Sequence, residues 1–508
     1  MNAPARRAAL FGSAYALIGL AFLPRRLDLS ALTYAVAADR GLGKVHAAAH
    51  PLYLPVLRVA LALARALGWR GAVSPPAQIV SALAGGLAAG LLLRLAERLS
   101  GDRRAAFVGT VAFVGCGHVW GYGLQSKPYT LAAACAAAYF LALTSRRPAT
   151  AARGALAGAF AGLTLGFDAM SMSLIPVAWV WAGLQPRARR ARFLAALHGV
   201  FAAFALAYLA TFPRGPIKTF DAMYSPARIY DSVLAGSSWE EQWSDYVDWT
   251  RLHLWDLFLP LPALAMVLAG GAAVDRLRRR RAVALAAAMW GTRALSGLVF
   301  HANDDFIHAA WLLLPCALAA AARRRPLLTG ALAASAAVVA ASGFVLRVEA
   351  PADPVQSRQR LEADFLARGL GRDGLLVIAG QPDWSVLDAL TGRVRAERLD
   401  GAADLFSPLA AAPDPAAVAL AAAAAASGRR VWIAGDSLYR PDFSRAALDV
   451  FQDRAVKLLG RSSFFGAPVW SPIGQRYLPL LARRPRKALK PPLRPFPVEE
   501  DLDRVDAP

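Results

Sequence analysis

The stretch 77–104, AQIVSALAGGLAAGLLLRLAERLSGDRR, decides how this chain is to be read. Its first part, 77–95, is an apolar run long enough to cross a bilayer as a helix, which takes about 20 residues with roughly 17 tolerated. Its last part, from Arg98 to Arg104, is a short arginine cluster. Short cationic loops stay in the cytoplasm because translocating them is unfavourable, so the cluster orients the span before it. The same pairing recurs. Further clusters run from Arg146 to Arg153, Arg187 to Arg192, Arg276 to Arg281 and Arg323 to Arg325, at every second loop between apolar segments. The alternate loops carry acids, histidines and aromatics instead, among them Asp28, Asp39, His46, His50, Asp168, Asp304 and Asp305. These fall on the external face, and the chemistry is expected there.

Composition agrees. Of 508 residues 56% are hydrophobic, which with a positive mean hydropathy marks an integral membrane protein. A net charge of +22 would point to nucleic acid in a soluble protein. Here the arginine loops and a basic C-terminal tail account for most of the excess, and no nucleic-acid partner is expected. Cys116, Cys135 and Cys316 all sit inside apolar segments, so no disulfide framework is implied. Arg6 and Arg7 before an apolar run resemble the start of a signal peptide. Many spans follow, and Pro24-Arg25-Arg26 is a poor cleavage site, so the reading is an uncleaved first span.

The predicted spans are 8–24, 77–95, 105–123, 129–144, 154–167, 170–184, 193–212, 257–274, 283–300, 307–322 and 327–346. With the N-terminus cytoplasmic this gives about eleven spans. Residues 154–184 form one apolar stretch interrupted by Asp168, read as a hairpin whose tip does not fully cross. Parity requires it, because the arginine clusters on both sides must stay inside. The helix after Pro51, up to Leu67, carries Arg58 and Arg65 at i, i+7. A full span there would push the next cluster outside, so it is placed flat on the external surface as an amphipathic helix.

The expected fold is therefore mainly α, a polytopic helical membrane domain over 1–346. It is followed by a small external, periplasmic α/β domain over 347–482 and a disordered, basic, proline-rich tail over 483–508. In the second domain Leu375-Leu-Val-Ile-Ala379 and Val431-Trp-Ile-Ala434 read as short buried strands. Between them Asp414 caps a helix with Pro415 at its first position and Gly428 at its exit. Gly380 and Gly435-Asp436 follow the strands, where α/β sheets usually bind ligands. Nothing there resembles a phosphate-cradling glycine loop, and a structural or partner-docking role is favoured.

The external loop 25–76 holds Asp28, Asp39, His46 and His50. A carboxylate just beyond the first span, as Asp28 is, can take a proton from a hydroxyl arriving from outside, which is general-base work. It can equally pair with Arg25 or Arg26, or cap a helix over 29–38. His50-Pro51-Leu52-Tyr53 follows. His118-Val-Trp120 with Gln125-Ser-Lys-Pro-Tyr129 closes the next external turn, and Gly162-Leu-Thr-Leu-Gly166 leads to Asp168. This ordered set resembles the GT-C superfamily of membrane glycosyltransferases, especially the bacterial multi-spanning proteins related to protein O-mannosyltransferases. The resemblance covers roughly 8–200. It implies a lipid-linked sugar donor and gives the role of catalytic base to Asp28. The family often has a second acid soon after the first, whereas here the next is Asp39. Lys127 stands where a glutamate is common, and a lysine suits a phosphate better than a hydroxyl or metal ion.

Arg293 adds an argument independent of family. It lies inside the span 283–300, roughly 10 Å below its outer end at 1.5 Å per residue. An intramembrane arginine costs at least about 2.5–3.5 kcal/mol on insertion scales and normally has a partner or a task. A lipid phosphate is such a partner; snorkelling to the outer surface is the plain alternative. His301, Asp304, Asp305 and His308 sit just above it, spaced to ligate a divalent metal or to form a hydrogen-bonded turn. In the loop 213–256, Trp239, Trp243 and Tyr246 share one helical face among Glu240, Glu241, Asp245 and Asp248. That is an interfacial aromatic belt or a sugar platform.

Two classes of function follow. The first is an inverting glycosyltransferase of the bacterial inner membrane, moving a sugar from a polyprenyl-phosphate donor to a lipid, glycan or protein acceptor outside. Asp28 is its base; Arg293, Lys127, His301, His50, Tyr53, Asp39, Trp120 and Tyr129 bind substrate. The second is a non-enzymatic transporter or scaffold for lipid-linked saccharides. A transporter should show inverted repeats and polar residues at mid-membrane. The sequence shows no internal repeat and gathers its polar residues at one face, which favours the enzyme.

Overall fold

The computed structural model describes residues 3–23, 27, 29–40, 50–115, 117–145, 149–168, 174–183, 187–210, 316, 319, 322–323, 326–348, 354–378, 384–390, 393–398, 415–434, 457–459, 464–473 and 476–482. The expected spans 257–274 and 283–300, and most of 307–322, lie outside these residues. The chain divides into two compact units. Met1–Tyr34, His46–Leu63 and Ser74–Pro351 form the first; Ala35–Val45, Ala64–Val73 and Ala352–Pro508 form the second.

The first unit is helical. Its described elements are α1 (Ala3–Ala21), α2 (Leu29–Arg40), α3 (Tyr53–Ala66), α4 (Ser74–Ser100), α5 (Arg103–Val114), α6 (Gly117–Leu124), α7 (Tyr129–Leu143), α8 (Ala151–Phe167), α9 (Leu174–Gly183), α10 (Arg187–Ala210) and α11 (Pro326–Val348). α4 runs for 27 residues, about 40 Å at 1.5 Å per residue. It is also one of two described helices, with Arg190–Ala210, that are long and apolar enough to cross a membrane by themselves.

Small residues decide how these helices meet. Along α1 and α4 a Cβ on Gly12 would press into the Gly86 carbonyl, and one on Gly90 into the Ala8 carbonyl. The pairs run in opposite sequence directions, so α1 and α4 are antiparallel with their backbones in near contact, the geometry that small residues permit in a membrane. On α8, Gly154, Gly158 and Gly162 recur every fourth residue on one face. They meet Phe193, Leu197 and Phe204 of α10 respectively. These pairs ascend together, so α8 and α10 are parallel and α9 must return the chain between them. α9 has ten residues, about 15 Å, roughly half a hydrocarbon core. The Tyr139 hydroxyl donates to the carbonyl of its first residue, Leu174, at 2.7 Å. This short return leg begins beside Tyr139, eleven residues into α7 counting from Tyr129.

One expected span is corrected. Residues 105–123 are two helices, not one. α5 ends at Val114 and Gly115 caps it, donating to Val111 O at 2.9 Å. A Cβ on Gly115 would sit 2.9 Å from the Ala340 Cβ of α11, so α11 closes on a glycine. Glycines at 115 and 117 lower helix propensity where that approach bends the path.

Among the described residues, three arginines at one end of this unit are bonded. Arg7 of α1 pairs with Glu97 of α4 through two bonds, at 3.0 and 3.1 Å. Arg98 donates to Leu141 O at 2.5 Å, and Arg153 to Leu143 O at 3.2 Å and Ser145 O at 3.3 Å. Both arginines satisfy carbonyls at the C-terminus of α7 and oppose the negative end of its dipole. Asp102 caps α5 by accepting from Arg104 N and Ala105 N at 3.0 and 3.2 Å.

The second unit holds α12 (Pro354–Leu370), β1 (Leu375–Ile378), α13 (Trp384–Leu390), β2 (Arg395–Arg398), α14 (Pro415–Ala426), β3 (Val431–Ala434), β4 (Phe464–Phe465), β5 (Val469–Trp470) and β6 (Arg476–Leu481). The sheet order is β2-β1-β3-β6-β4, with β5 also paired to β6. β1 is parallel to β2 and β3, and β6 is antiparallel to β3, β4 and β5. The alanine face of α14 packs with Leu375, Val377, Val431, Ile433, Leu478 and Leu480 in one core. α14 exits through Gly428 at φ 80°, with Gly428 N bonded to Ala425 O and Arg429 N to Ala424 O, an arrangement glycine permits without strain. Gly380 and Gly435-Asp436, expected beside a ligand, lie outside the described residues.

Candidate functional site

The end of the helical unit opposite the arginines collects short polar motifs that are far apart in sequence. His50 and Pro51 form the turn that starts α3. His50 Nδ1–H donates to Phe167 O at 2.5 Å, and Leu52 N–H to Gly166 O at 3.0 Å, stitching this turn to the end of α8. A side chain at 166 would run into Leu52, which accounts for the glycine. The bond to a carbonyl fixes the donor nitrogen of His50, and in the neutral ring places the lone pair on Nε2. Asp168 follows at the C-cap of α8, its N–H on Thr164 O at 2.8 Å and its side chain buried.

Tyr34 of α2 meets the His50 ring edge-on at 5.4 Å and the Tyr53 ring at 5.3 Å. His50 in turn lies 6.2 Å from Tyr129, the first residue of α7. The Lys127 ammonium stands 5.9 Å over the Tyr129 ring. Lys127 is only 3% exposed, an unusual state for a lysine, since burying a charge is costly unless polar groups surround it. Its turn is held tightly. Lys127 N–H donates to Gln125 O at 2.8 Å, Ser81 of α4 donates to Lys127 O at 3.4 Å, and the Ser126 hydroxyl donates to Ala31 O of α2. Pro128 and Tyr129 then open α7.

Deeper in, Trp120 of α6 packs edge-on against Tyr15 of α1 at 5.1 Å. Four buried polar atoms here have no hydrogen bond: Tyr53 Oη, Trp120 Nε1, Gln125 Oε1 and Thr130 Oγ1. Ser81 comes close enough to Tyr53 to favour its ionised form slightly, but not in bonding geometry. Burial outweighs it and pushes the Tyr53 hydroxyl far above the usual phenol range, so this group is neutral at any physiological pH.

Of the residues singled out from sequence, His50, Tyr53, Lys127, Tyr129 and Trp120 therefore fall in one region, with Asp168 beside them. Asp39 is paired with Arg65, which donates to its carboxylate, and belongs to the second unit. The pairing joins the ends of two helices across a long loop, which local pattern cannot show. Asp28, Arg293 and His301 lie outside the described residues, as do Asp304, Asp305, His308 and the aromatic loop 213–256. Among the described residues no group of three His, Cys, Asp or Glu side chains is placed to hold a metal ion. Tyr34, Ser81 and Thr130 were not singled out from sequence. Their signal is faint: polar atoms at helix positions that otherwise read as apolar wall.

No family model matches the chain and no curated protein matches it. Solved structures do. ArnT from Cupriavidus metallidurans bound to undecaprenyl phosphate matches at 12% identity with a TM-score of 0.59, over 93% of this chain and 97% of that one. Arabinofuranosyltransferase AftD from Mycobacteria matches at 17% identity and a TM-score of 0.49. That match covers 94% of this chain but 42% of AftD. ArnT in its apo state gives 14% identity and a TM-score of 0.41. ArnT is a GT-C glycosyltransferase, and this chain is similar to it in fold.

Proposed function

We propose that the chain is an inverting glycosyltransferase. It takes a sugar from a polyprenyl-phosphate donor and delivers it to an acceptor at the external face of a bacterial inner membrane. The observation that carries this reading is the buried Lys127 over Tyr129, in the same region as His50 and Tyr53. A buried cation over an aromatic ring suits the phosphate of a lipid whose tail stays in the bilayer. That ArnT, of the same fold, was solved with undecaprenyl phosphate bound supports the choice of lipid.

On this reading Asp28, one residue before α2, accepts the proton of the acceptor hydroxyl as its oxygen attacks the anomeric carbon. The bond from that carbon to the phosphate oxygen breaks, and the polyprenyl phosphate leaves with the electron pair. Lys127, joined by Arg293 and His301, offsets the charge that grows on the leaving phosphate. His50, Tyr53, Tyr129 and Trp120 shape the surroundings, and Asp39 is paired with Arg65. The arginine loops place the N-terminus in the cytoplasm and residues 347–482 outside.

The test uses the full chain in nanodiscs. Wild type is expected to bind undecaprenyl phosphate, Lys127→Ala about a hundredfold more weakly. Asp28→Asn should bind it normally but lose turnover about 10²–10⁴-fold, because it keeps the shape of the side chain and removes its proton affinity. Unchanged binding by Lys127→Ala together with near-normal transfer by Asp28→Asn would sink the mechanism.

A further inference from the structure

We infer that Trp120, Gln125 and Thr130, with Tyr53, form the subsite for the donor's sugar ring, a neutral group rich in hydroxyls; this rests on the donor reading above. Native interiors leave few buried polar atoms unbonded, and each one costs stability. Four such atoms belong to Tyr53, Trp120, Gln125 and Thr130, besides Arg153 Nε and Trp181 Nε1 elsewhere in the helical unit. Trp120, Gln125 and Thr130 are each at least nine-tenths buried, and Tyr53 is fully so.

Their chemistry selects the occupant. The indole N–H only donates, the Gln125 carbonyl oxygen only accepts, and the hydroxyls of Thr130 and Tyr53 do either. An ionised phosphate offers acceptors alone and would be repelled by the Gln125 oxygen. A prenyl tail offers nothing. A sugar presents hydroxyls that both donate and accept. Position agrees, because Gln125 and Thr130 flank Lys127 within the six residues 125–130. A donor whose phosphate rests on Lys127 brings its first sugar to them.

Two glycines mark the same place. A Cβ on Gly123 would meet the Tyr15 hydroxyl at 3.5 Å and Thr130 Cγ2 at 3.7 Å. One on Gly85 would meet Tyr15 at 3.4 Å and the same Thr130 carbon at 3.7 Å. These are ordinary van der Waals contacts, unlike the clashes at Gly12 or Gly154. Helix packing tolerates a Cβ at 85 or 123, and at 123 it would take up space beside Thr130 and the Tyr15 hydroxyl.

The experiment measures thermal stabilisation of the full-length chain in nanodiscs by two sets of probes. One is undecaprenyl phosphate; the other is a panel of methyl pentosides and hexosides, neutral and amino. At least one glycoside should stabilise wild type. Gln125→Leu with Thr130→Val, and separately Gly123→Ala, should bind that glycoside at least about tenfold more weakly, the loss expected for one or two hydrogen bonds. Without ligand both variants should melt at or above the wild-type temperature, since one removes unbonded polar atoms and the other replaces a helical glycine. Both should bind undecaprenyl phosphate within about twofold of wild type. The inference is overturned if no glycoside stabilises wild type, or if all three proteins respond alike. It is also overturned if the Leu/Val variant folds but melts lower, which would mean structural water holds those atoms. If the Leu/Val variant fails to fold, Gly123→Ala decides alone. Loss of undecaprenyl phosphate binding by wild type, with the glycoside response intact, would remove the donor reading and leave the subsite standing.

Discussion

The two ends of the helical unit use polar groups in opposite ways. At one end Arg7, Arg98, Arg153 and Asp102 meet a carboxylate, helix carbonyls or helix N–H groups. At the other, Lys127 is buried over an aromatic ring, and four polar atoms near it have no hydrogen bond. The first arrangement stabilises helix ends. The second leaves buried polar atoms that a bound molecule would satisfy, and natural proteins give up local stability in this way at sites.

The largest expected effect comes from exchanging the same loss between the ends. Lys127→Met should lower transfer about a hundredfold or more, a far larger effect on activity than on the melting temperature. Arg153→Met should do the reverse. It removes two carbonyl bonds and a guanidinium 5.4 Å from the Phe193 ring, costing about 1–3 kcal/mol of stability. Turnover per folded molecule should be unchanged. Equal behaviour of the two variants in both assays would erase the distinction between the ends.

A smaller effect is expected at Asp102, where Ala deletes an N-cap and should cost about 1 kcal/mol, read as a lower melting temperature with normal activity. The smallest belongs to Arg7→Gln. Its partner Glu97 is mostly shielded but Arg7 itself is exposed, so screening limits the pair. Melting should fall slightly at low salt and not at all at high salt. A loss that persists at high salt would show that the arginine end is held more rigidly than its geometry indicates.

Much of this was legible from sequence because it is local. Arginine clusters punctuate apolar runs, His50-Pro51 announces a turn, and Leu375 and Val431 open apolar runs too short for helices. What escaped depends on partners distant in the chain. The break at Gly115 needs Ala340 of α11; the engagement of Asp39 needs Arg65 across an intervening loop. Tyr34 lies in a helix with no marked apolar face, and only its contacts with His50 and Tyr53 reveal it. The short strands β4 and β5 have two residues each, below any periodic signal, and exist because β6 offers them an edge. Even the parallel course of α8 and α10, implied by parity, needed the glycine pairs to become a register.

That register also constrains how the protein is made. Helix α8 leaves the ribosome with a face of bare backbone at Gly154, Gly158 and Gly162, and α9 follows as a segment too short to cross on its own. Both meet α7, but the glycine face of α8 has no partner until α10 emerges. The translocon must therefore keep the α8–α9 hairpin in its lateral gate for the length of another helix. Biogenesis of this chain then proceeds by three helices at once, and a stall near residue 186 would hand the quality-control proteases an open groove.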